Sequence, residues 1–88
     1  MAKELQNTRI KNIHCTGRGH WRIIVEQEHW MRKYPFGLSS ITLWEYTTTD
    51  SMAIDDYKSD DYQRQRNGEH RLIRQAKAYG TKIVERYR

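Results

Sequence analysis

The sequence predicts an α+β fold: a three-stranded antiparallel meander, with strand order 1-2-3, followed by a short helix and a longer C-terminal helix packed on one face. Three observations predict it. Residues 20–31 alternate apolar and polar side chains, glycine-containing turns flank them, and from residue 51 onward the apolar spacing becomes helical. All 88 residues are expected to form a single small domain, with residues 1–7 frayed.

The first two strands are predicted to form a hairpin. Residues 8–15 form the first strand, where the odd spacing of Ile10 and Ile13 places them on opposite faces. A two-residue turn at Gly17 and Arg18 leads into the central strand over residues 20–31. The pairs that follow from this turn are Arg9 with Glu26, Ile10 with Val25, His14 with Trp21 and Cys15 with His20.

A corner over residues 34–38, with Gly37 in the left-handed position, is predicted to close the second hairpin. It sets Val25 opposite Thr47, although a slip of one residue would exchange the two faces of the third strand. One face of the sheet then carries Ile10, Trp21, Ile23, Val25, Met31, Ile41 and Leu43 as the core. The opposite face carries Ile24, Trp30, Trp44 and Tyr46 among charged residues.

Two helices follow. Met52, Ala53, Ile54 and Tyr57 indicate a short helix over residues 51–60, and residues 61–68 read as a polar linker ending in an Asn-Gly turn. Residues 69–87 form the longer helix, on which Gly80 either allows close approach to the sheet or breaks the helix in two. The contacts expected are of Leu72, Ala76, Tyr79 and Ile83 with Trp21, Ile23, Val25 and Leu43.

Charge is segregated along the chain, which has a net charge of +5. Residues 50–61 hold five acidic residues and one lysine, whereas residues 69–88 hold six basic residues and two glutamates. A basic chain encounters polyanions readily. The single cysteine, the lack of an apolar N-terminal run and the lack of a membrane-spanning stretch indicate a cytoplasmic protein that does not enter a membrane.

No enzyme, cofactor or metal site is predicted. Cys15 and His20 are either two candidate zinc ligands or a candidate thiolate nucleophile with its histidine, but no third metal ligand has a spacing that brings it near them. The acidic cluster over residues 50–61 lacks the glycine and spacing of a calcium loop. Gly17 and Gly19 join two strands, whereas phosphate-binding glycine motifs open a helix.

Binding of DNA or RNA is the leading expectation. A helix with a basic arc beside a sheet face with exposed aromatic rings supplies phosphate contacts and stacking surfaces together. The residues predicted for this role are Trp30, Trp44, Arg71, Arg74, Lys77 and Lys82. The alternative is a protein-interaction or inhibitory module, including a homodimer through the edge of the first or third strand.

The order strand, strand, strand and helix, with the helix entered through residues 48–51 and with Ala53 and Tyr57 one turn apart, resembles the DNA-binding domains of AP2 type and the arm-binding domains of some phage integrases. The resemblance implies that one sheet face carries arginine and tryptophan side chains into the major groove. The residues at matching positions are Arg9, Lys11, Arg22, Trp30 and Arg32. The second, longer helix departs from that pattern.

Residues 20–23 (His-Trp-Arg-Ile), followed by residues 47–55, are also similar to short proteins of bacterial phages and mobile elements. This similarity implies a small accessory role in the cytoplasm. It implies no biochemical activity.

Overall fold

The computed structural model describes residues 7–31 and 38–87, and its α+β class, antiparallel sheet and two helices confirm the predicted class. The elements are β1 (Thr8–Gly17), β2 (His20–Met31), β3 (Leu38–Thr48), α1 (Ser51–Tyr57), α2 (Tyr62–Tyr79) and β4 (Thr81–Tyr87). Of the residues predicted to be frayed, only Asn7 is described, and it forms a turn. The predicted corner over residues 34–38 lies outside the described residues, apart from Leu38.

The described sheet has four strands, not the three predicted, in the order β1-β2-β3-β4 with every neighbouring pair antiparallel. The prediction of helix over residues 80–87 is wrong, because those residues end α2 and form β4. Ile83 and Val84 also fall on the apolar arc of a helix, but adjacent β-branched residues favour an extended chain. Both helices are therefore an insertion between two neighbouring strands.

Gly80 marks the change from helix to strand. Its N–H donates to the carbonyl oxygen of Ala76 at 2.8 Å and ends α2. A side chain at this position would lie 2.8 Å from the carbonyl oxygen of Glu45 on β3, so the backbone runs too close to the sheet for a larger residue. Gly80 therefore allows close approach to the sheet, as one of the two predicted roles has it, but it ends α2 and does not break a helix in two, because Thr81–Tyr87 is a strand.

The residues predicted to link the helices instead form the first turns of α2. Asp61 is the N-cap, and its carboxylate accepts from the N–H of Gln63 at 3.0 Å. Gly68 lies inside α2, where a side chain would lie only 2.8 Å from the carbonyl oxygen of Ala53 on α1. Gly68 is thus a site of close helix contact, and the Asn67-Gly68 pair does not form a turn. α1 ends at Tyr57, and Lys58 is its C-cap.

The register of the first hairpin agrees with the prediction at its open end and differs near its turn. Arg9 pairs with Glu26 and Ile10 with Val25, as predicted. A bulge between Ile10 and Asn12 then shifts the register, and a second irregularity lies between Cys15 and Gly17. The pairs near the turn are Ile13 with Ile23, His14 with Arg22, Cys15 with Trp21 and Gly17 with His20.

This shift has two consequences for β1. The turn consists of Arg18 and Gly19, with Gly19 at φ +68°, so the prediction of a Gly17-Arg18 turn is wrong by one residue. The first bulge also places Ile10 and Ile13 on the same face, where both pack against the core, although a regular strand would separate them.

The predicted register of the second hairpin is wrong by three residues, because Val25 pairs with Trp44 where Thr47 was predicted. An odd shift exchanges the two faces of a strand. Trp44 and Tyr46 therefore face the helices, whereas Ile41 and Leu43 lie on the opposite face. The turn signal at Gly37 does not by itself determine the register of the strands that it joins.

The core lies between one face of the sheet and the two helices. Its fully buried members are Ile23, Val25, Ala53, Ile54, Leu72, Ile73 and Ala76, which include four of the eight residues predicted to pack there. Trp21 is half-buried against them. Tyr79 and Ile83 were predicted to be core residues, but they are 77% and 44% exposed.

Candidate nucleic-acid interface

The residues predicted to contact nucleic acid lie in three parts of the fold. Arg9, Lys11 and Arg22 are on β1 and β2, Arg71, Arg74 and Lys77 are on α2, and Trp44 and Lys82 are on β3 and β4. The backbone of Trp30 pairs with that of Ser39 in the sheet, and Arg32 lies outside the described residues. The predicted set is therefore not one continuous surface.

The open face, which is the sheet face turned away from the helices, carries Arg9, Lys11 and Arg22. Arg9 and Lys11 both bind the carboxylate of Glu26, at 3.0 Å and 3.6 Å. Glu28 lies on the same face, two residues along β2. Because Glu26 pairs with two of these basic side chains and Glu28 adds a further negative charge, the open face offers phosphates less positive charge than the sequence predicts.

The basic ridge consists of Arg71, Arg74 and Lys77 on α2. These residues are three apart in sequence, so each side chain neighbours the next along the helix surface. Arg71 and Arg74 are exposed, and Lys77 is half-buried. Over the whole of α2 five basic residues accompany one glutamate, which makes this helix the most positive element among the described residues.

Lys77 connects the ridge to the sheet. Its ammonium group donates to the side-chain oxygen of Gln27 at 3.0 Å and lies 5.3 Å from the ring centroid of Trp44. A cation at this distance over an indole ring is a favourable cation–π contact. Trp44 is consequently half-buried beneath Lys77, not free on an open sheet face as predicted.

The aromatic corner consists of Trp44, Tyr46 and Tyr79, at the place where α2 ends and β4 begins. Trp44 and Tyr46 are two residues apart on β3 and share its helix-facing side. The ring of Tyr79 lies 6.4 Å from that of Tyr46, with the planes inclined at 36°. Lys82 is exposed and pairs with Trp44 across β3 and β4, so its positive charge borders the corner.

Asp50 fixes the ridge to the end of β3. Its carboxylate accepts from the N–H of Ala53 at 3.1 Å, from the amide of Gln75 at 2.8 Å and from the guanidinium of Arg71 at 2.7 Å. The hydroxyl of Thr48 donates to Gln75 at 3.0 Å and accepts from the N–H of Asp50 at 3.0 Å. These bonds fix the position of Arg71 before any ligand binds.

The pKa of Asp50 reflects two opposed effects. Burial raises the pKa of this carboxyl, but the hydrogen bonds from Ala53 and Gln75 and the positive charge of Arg71 lower it by more. The net result is a pKa below the usual value of an aspartate, so Asp50 is ionised at neutral pH and its contact with Arg71 is a true ion pair.

The prediction from sequence is wrong for all three rings of the corner. The register error places Trp44 and Tyr46 on the face away from the helices, and the helical spacing predicts Tyr79 in the core. The alternation of Trp44 and Tyr46 was a usable signal, since residues two apart on a strand share a face. No sequence signal distinguished the exposed Tyr79 from a buried aromatic residue at the same helical position.

Cys15 and the acidic residues were the other groups considered for chemistry. The thiol of Cys15 is exposed and donates to the carbonyl oxygen of Gly17 at 3.2 Å, and its strand partner is Trp21 and not His20. Within residues 7–31 and 38–87, no three histidine, cysteine or acidic side chains are grouped closely enough to hold a metal ion. No described helix is long and apolar enough to cross a membrane.

Comparison with protein-family models, curated proteins and solved structures finds no match. The resemblances to AP2-type domains, to integrase arm-binding domains and to small phage proteins therefore stay predictions.

Proposed function

We propose that this protein is a small, non-enzymatic nucleic-acid-binding protein whose contact surface is the basic ridge together with Lys82. The observation that carries the proposal is the alignment of Arg71, Arg74 and Lys77 on one side of α2, with Lys82 beyond the helix end. Arginine and lysine side chains on a rigid element are the usual contacts to phosphate oxygens. A cytoplasmic location belongs to the same proposal, since the exposed thiol of Cys15 suits a reducing compartment.

The ridge supports this role better than the open face does. On α2, five basic residues accompany one glutamate, and Asp50 is the carboxylate that pairs with Arg71. On the open face, Glu26 binds two basic side chains at once. Glu28 lies on the same face, so the net positive charge there is smaller, and we assign Arg9, Lys11 and Arg22 a secondary part.

The test removes equal charge from the two surfaces. One variant combines Arg74→Gln with Lys82→Gln, and the matched control combines Lys11→Gln with Arg22→Gln. All four residues are exposed, and each variant loses two positive charges. Fluorescence anisotropy measures the affinity for labelled nucleic acid at several salt concentrations, and circular dichroism confirms that both variants are folded.

The ridge variant is expected to bind more weakly and to reduce the slope of log affinity against log salt by up to about 1.4 for single strands or 1.8 for duplex DNA. The control variant is expected to change both quantities much less. A larger loss in the control would move the contact surface to the open face. Equal, small losses in both variants would show that neither pair contacts phosphate.

A protein-interaction module is the second candidate function, and one observation favours it. The open face carries Ile24, Ile41 and Leu43, which are half-buried although neither helix covers them. β4 pairs with β3, so the edges of the described sheet are β1, which bulges interrupt, and β4. If the protein is an interaction module that uses the open face, Leu43→Arg would abolish self-association or partner binding in sedimentation experiments, whereas the ridge variant would not.

A further inference from the structure

We propose that the aromatic corner binds unpaired bases, so that this protein prefers single-stranded DNA or RNA over a duplex. The inference rests on the proposed function, since it names the form of nucleic acid that the same surface takes. It adds Tyr79 and Tyr46 to the basic residues of the ridge.

The exposure of the Tyr79 side chain is the first observation that supports this inference. Its side chain is 77% exposed, although it belongs to a well-formed helix one residue from the sheet. A tyrosine in such a position usually buries most of its ring against a neighbour. The ring of Tyr46 lies 6.4 Å away and is inclined at 36°, which leaves the ring of Tyr79 accessible to a flat ligand.

The backbone at Tyr79 is also held in place before a ligand binds. The next residue, Gly80, is hydrogen-bonded to Ala76 and contacts β3 so closely that no side chain fits. The chain then continues directly into β4. Because the helix end is held at this point, an incoming base stacks on Tyr79 at a small cost in conformational entropy.

The charges beside the corner suit a strand backbone. Lys77 lies above Trp44 on one side, and Lys82 borders Trp44 from β4 on the other. Aromatic rings with flanking cations are how single strands are held without sequence preference, since every base has a flat face and every linkage has a phosphate. In a duplex those base faces are stacked on each other and are not available to Tyr79.

Tyr62 provides an internal comparison. It is 72% exposed at the other end of the same helix, but the guanidinium of Arg66 lies 5.8 Å from its ring centroid and covers one face. No other aromatic ring contacts it among the described residues. Tyr62→Ala is therefore a matched control for the loss of an exposed tyrosine from α2.

The experiment measures the affinity of the full chain for oligothymidine of about 16 nucleotides and for a duplex of equal length. The variants are Tyr79→Ala, Tyr79→Phe and the control Tyr62→Ala. Tyr79→Ala is expected to lower single-strand affinity by roughly 5- to 140-fold, the loss of one stacked base. Tyr79→Phe keeps the ring and is expected to keep most of the single-strand affinity. Tyr62→Ala is expected to leave the single-strand affinity unchanged. Duplex affinity is expected to be weaker and insensitive to Tyr79.

Three results would overturn the inference. If Tyr79→Ala leaves single-strand affinity unchanged, or lowers duplex affinity equally, the corner does not stack bases. If the duplex is preferred while the ridge variant still weakens binding, the proposed function stands and this inference falls. If neither form binds, both fall and the second candidate function takes their place.

Discussion

Gly68→Ala tests the contact between the two helices, on which the placement of the basic ridge depends. Inside a helix this change ordinarily stabilises a protein by about 1 kcal/mol, because alanine has the higher helix propensity. Here the added carbon would lie 2.4 Å from the backbone nitrogen of Tyr57 and 2.8 Å from the carbonyl oxygen of Ala53. Both atoms belong to the backbone of α1, so neither can rotate away and the helix itself must move.

The balance of these effects sets the expected magnitude. Carbon atoms in contact normally lie about 3.5 to 4.0 Å apart, so α1 has to retreat by roughly 1 Å. Overpacking of this kind costs about 1 to 3 kcal/mol, which exceeds the gain in propensity across most of that range. We expect Gly68→Ala to lower the free energy of unfolding by up to about 2 kcal/mol and the melting temperature by up to roughly 16 °C.

Urea unfolding followed by circular dichroism measures the effect, with Asn67→Ala as the control. Asn67 is exposed on the same helix, so its replacement changes the helix propensity without a clash. The control is expected to be neutral or slightly stabilising. If Gly68→Ala instead stabilises the protein by about 1 kcal/mol, the two helices do not pack at Gly68 and the described arrangement is wrong.

Three further predictions concern the core and the titrating groups. Leu72→Ala should lower the free energy of unfolding by about 2 to 5 kcal/mol, a large part of the total for a domain of this size, as urea unfolding would show; a loss well under 1 kcal/mol would contradict the core assignment. Because the pKa of Asp50 is lowered in the folded state, its ionised carboxylate stabilises the fold above the pKa of the unfolded state, near 3.9. This stabilisation is lost as the pH falls through the folded pKa. The stability difference between wild type and Asp50→Asn should therefore shrink in urea titrations below about pH 4, and a difference that does not depend on pH would refute the ion pair with Arg71. Burial, and then the charge of Glu69, raise the pKa of Tyr57, so the stability that its neutral phenol contributes is present below about pH 10 and is lost as the pH rises above that value. Tyr57→Phe should therefore lose less stability than wild type between neutral and alkaline pH. An equal loss would count against the burial of the Tyr57 hydroxyl.

The central strand and the start of α1 were predictable because their signals are local. Alternation in β2 identifies a strand over the same bounds that the structure shows. Asp50 caps α1 from the polar segment in which a cap was expected, and Leu72 and Ala76 lie in the core as their spacing predicts. Each of these features depends on residues within a few positions of one another.

The remaining features depend on distant contacts. The bulge after Ile10 and the register of β3 are set by packing across the whole sheet, and a register error of three residues placed Trp44 and Tyr46 on the wrong face. β4 was missed because Ile83 and Val84 fit a helical arc as well as a strand. The charges of α2 were therefore predictable, whereas the aromatic corner required the sheet to be known.

The measurement that tests the central claim most directly is an anisotropy titration of the wild-type chain with single-stranded DNA, duplex DNA and duplex RNA at several salt concentrations. The account predicts micromolar or tighter binding of the single strand at physiological salt, weaker binding of both duplexes, and an affinity that falls linearly on a log–log scale with salt. Binding of all three forms that vanishes by physiological salt would contradict it, and would reduce the basic ridge to a solvated helix surface.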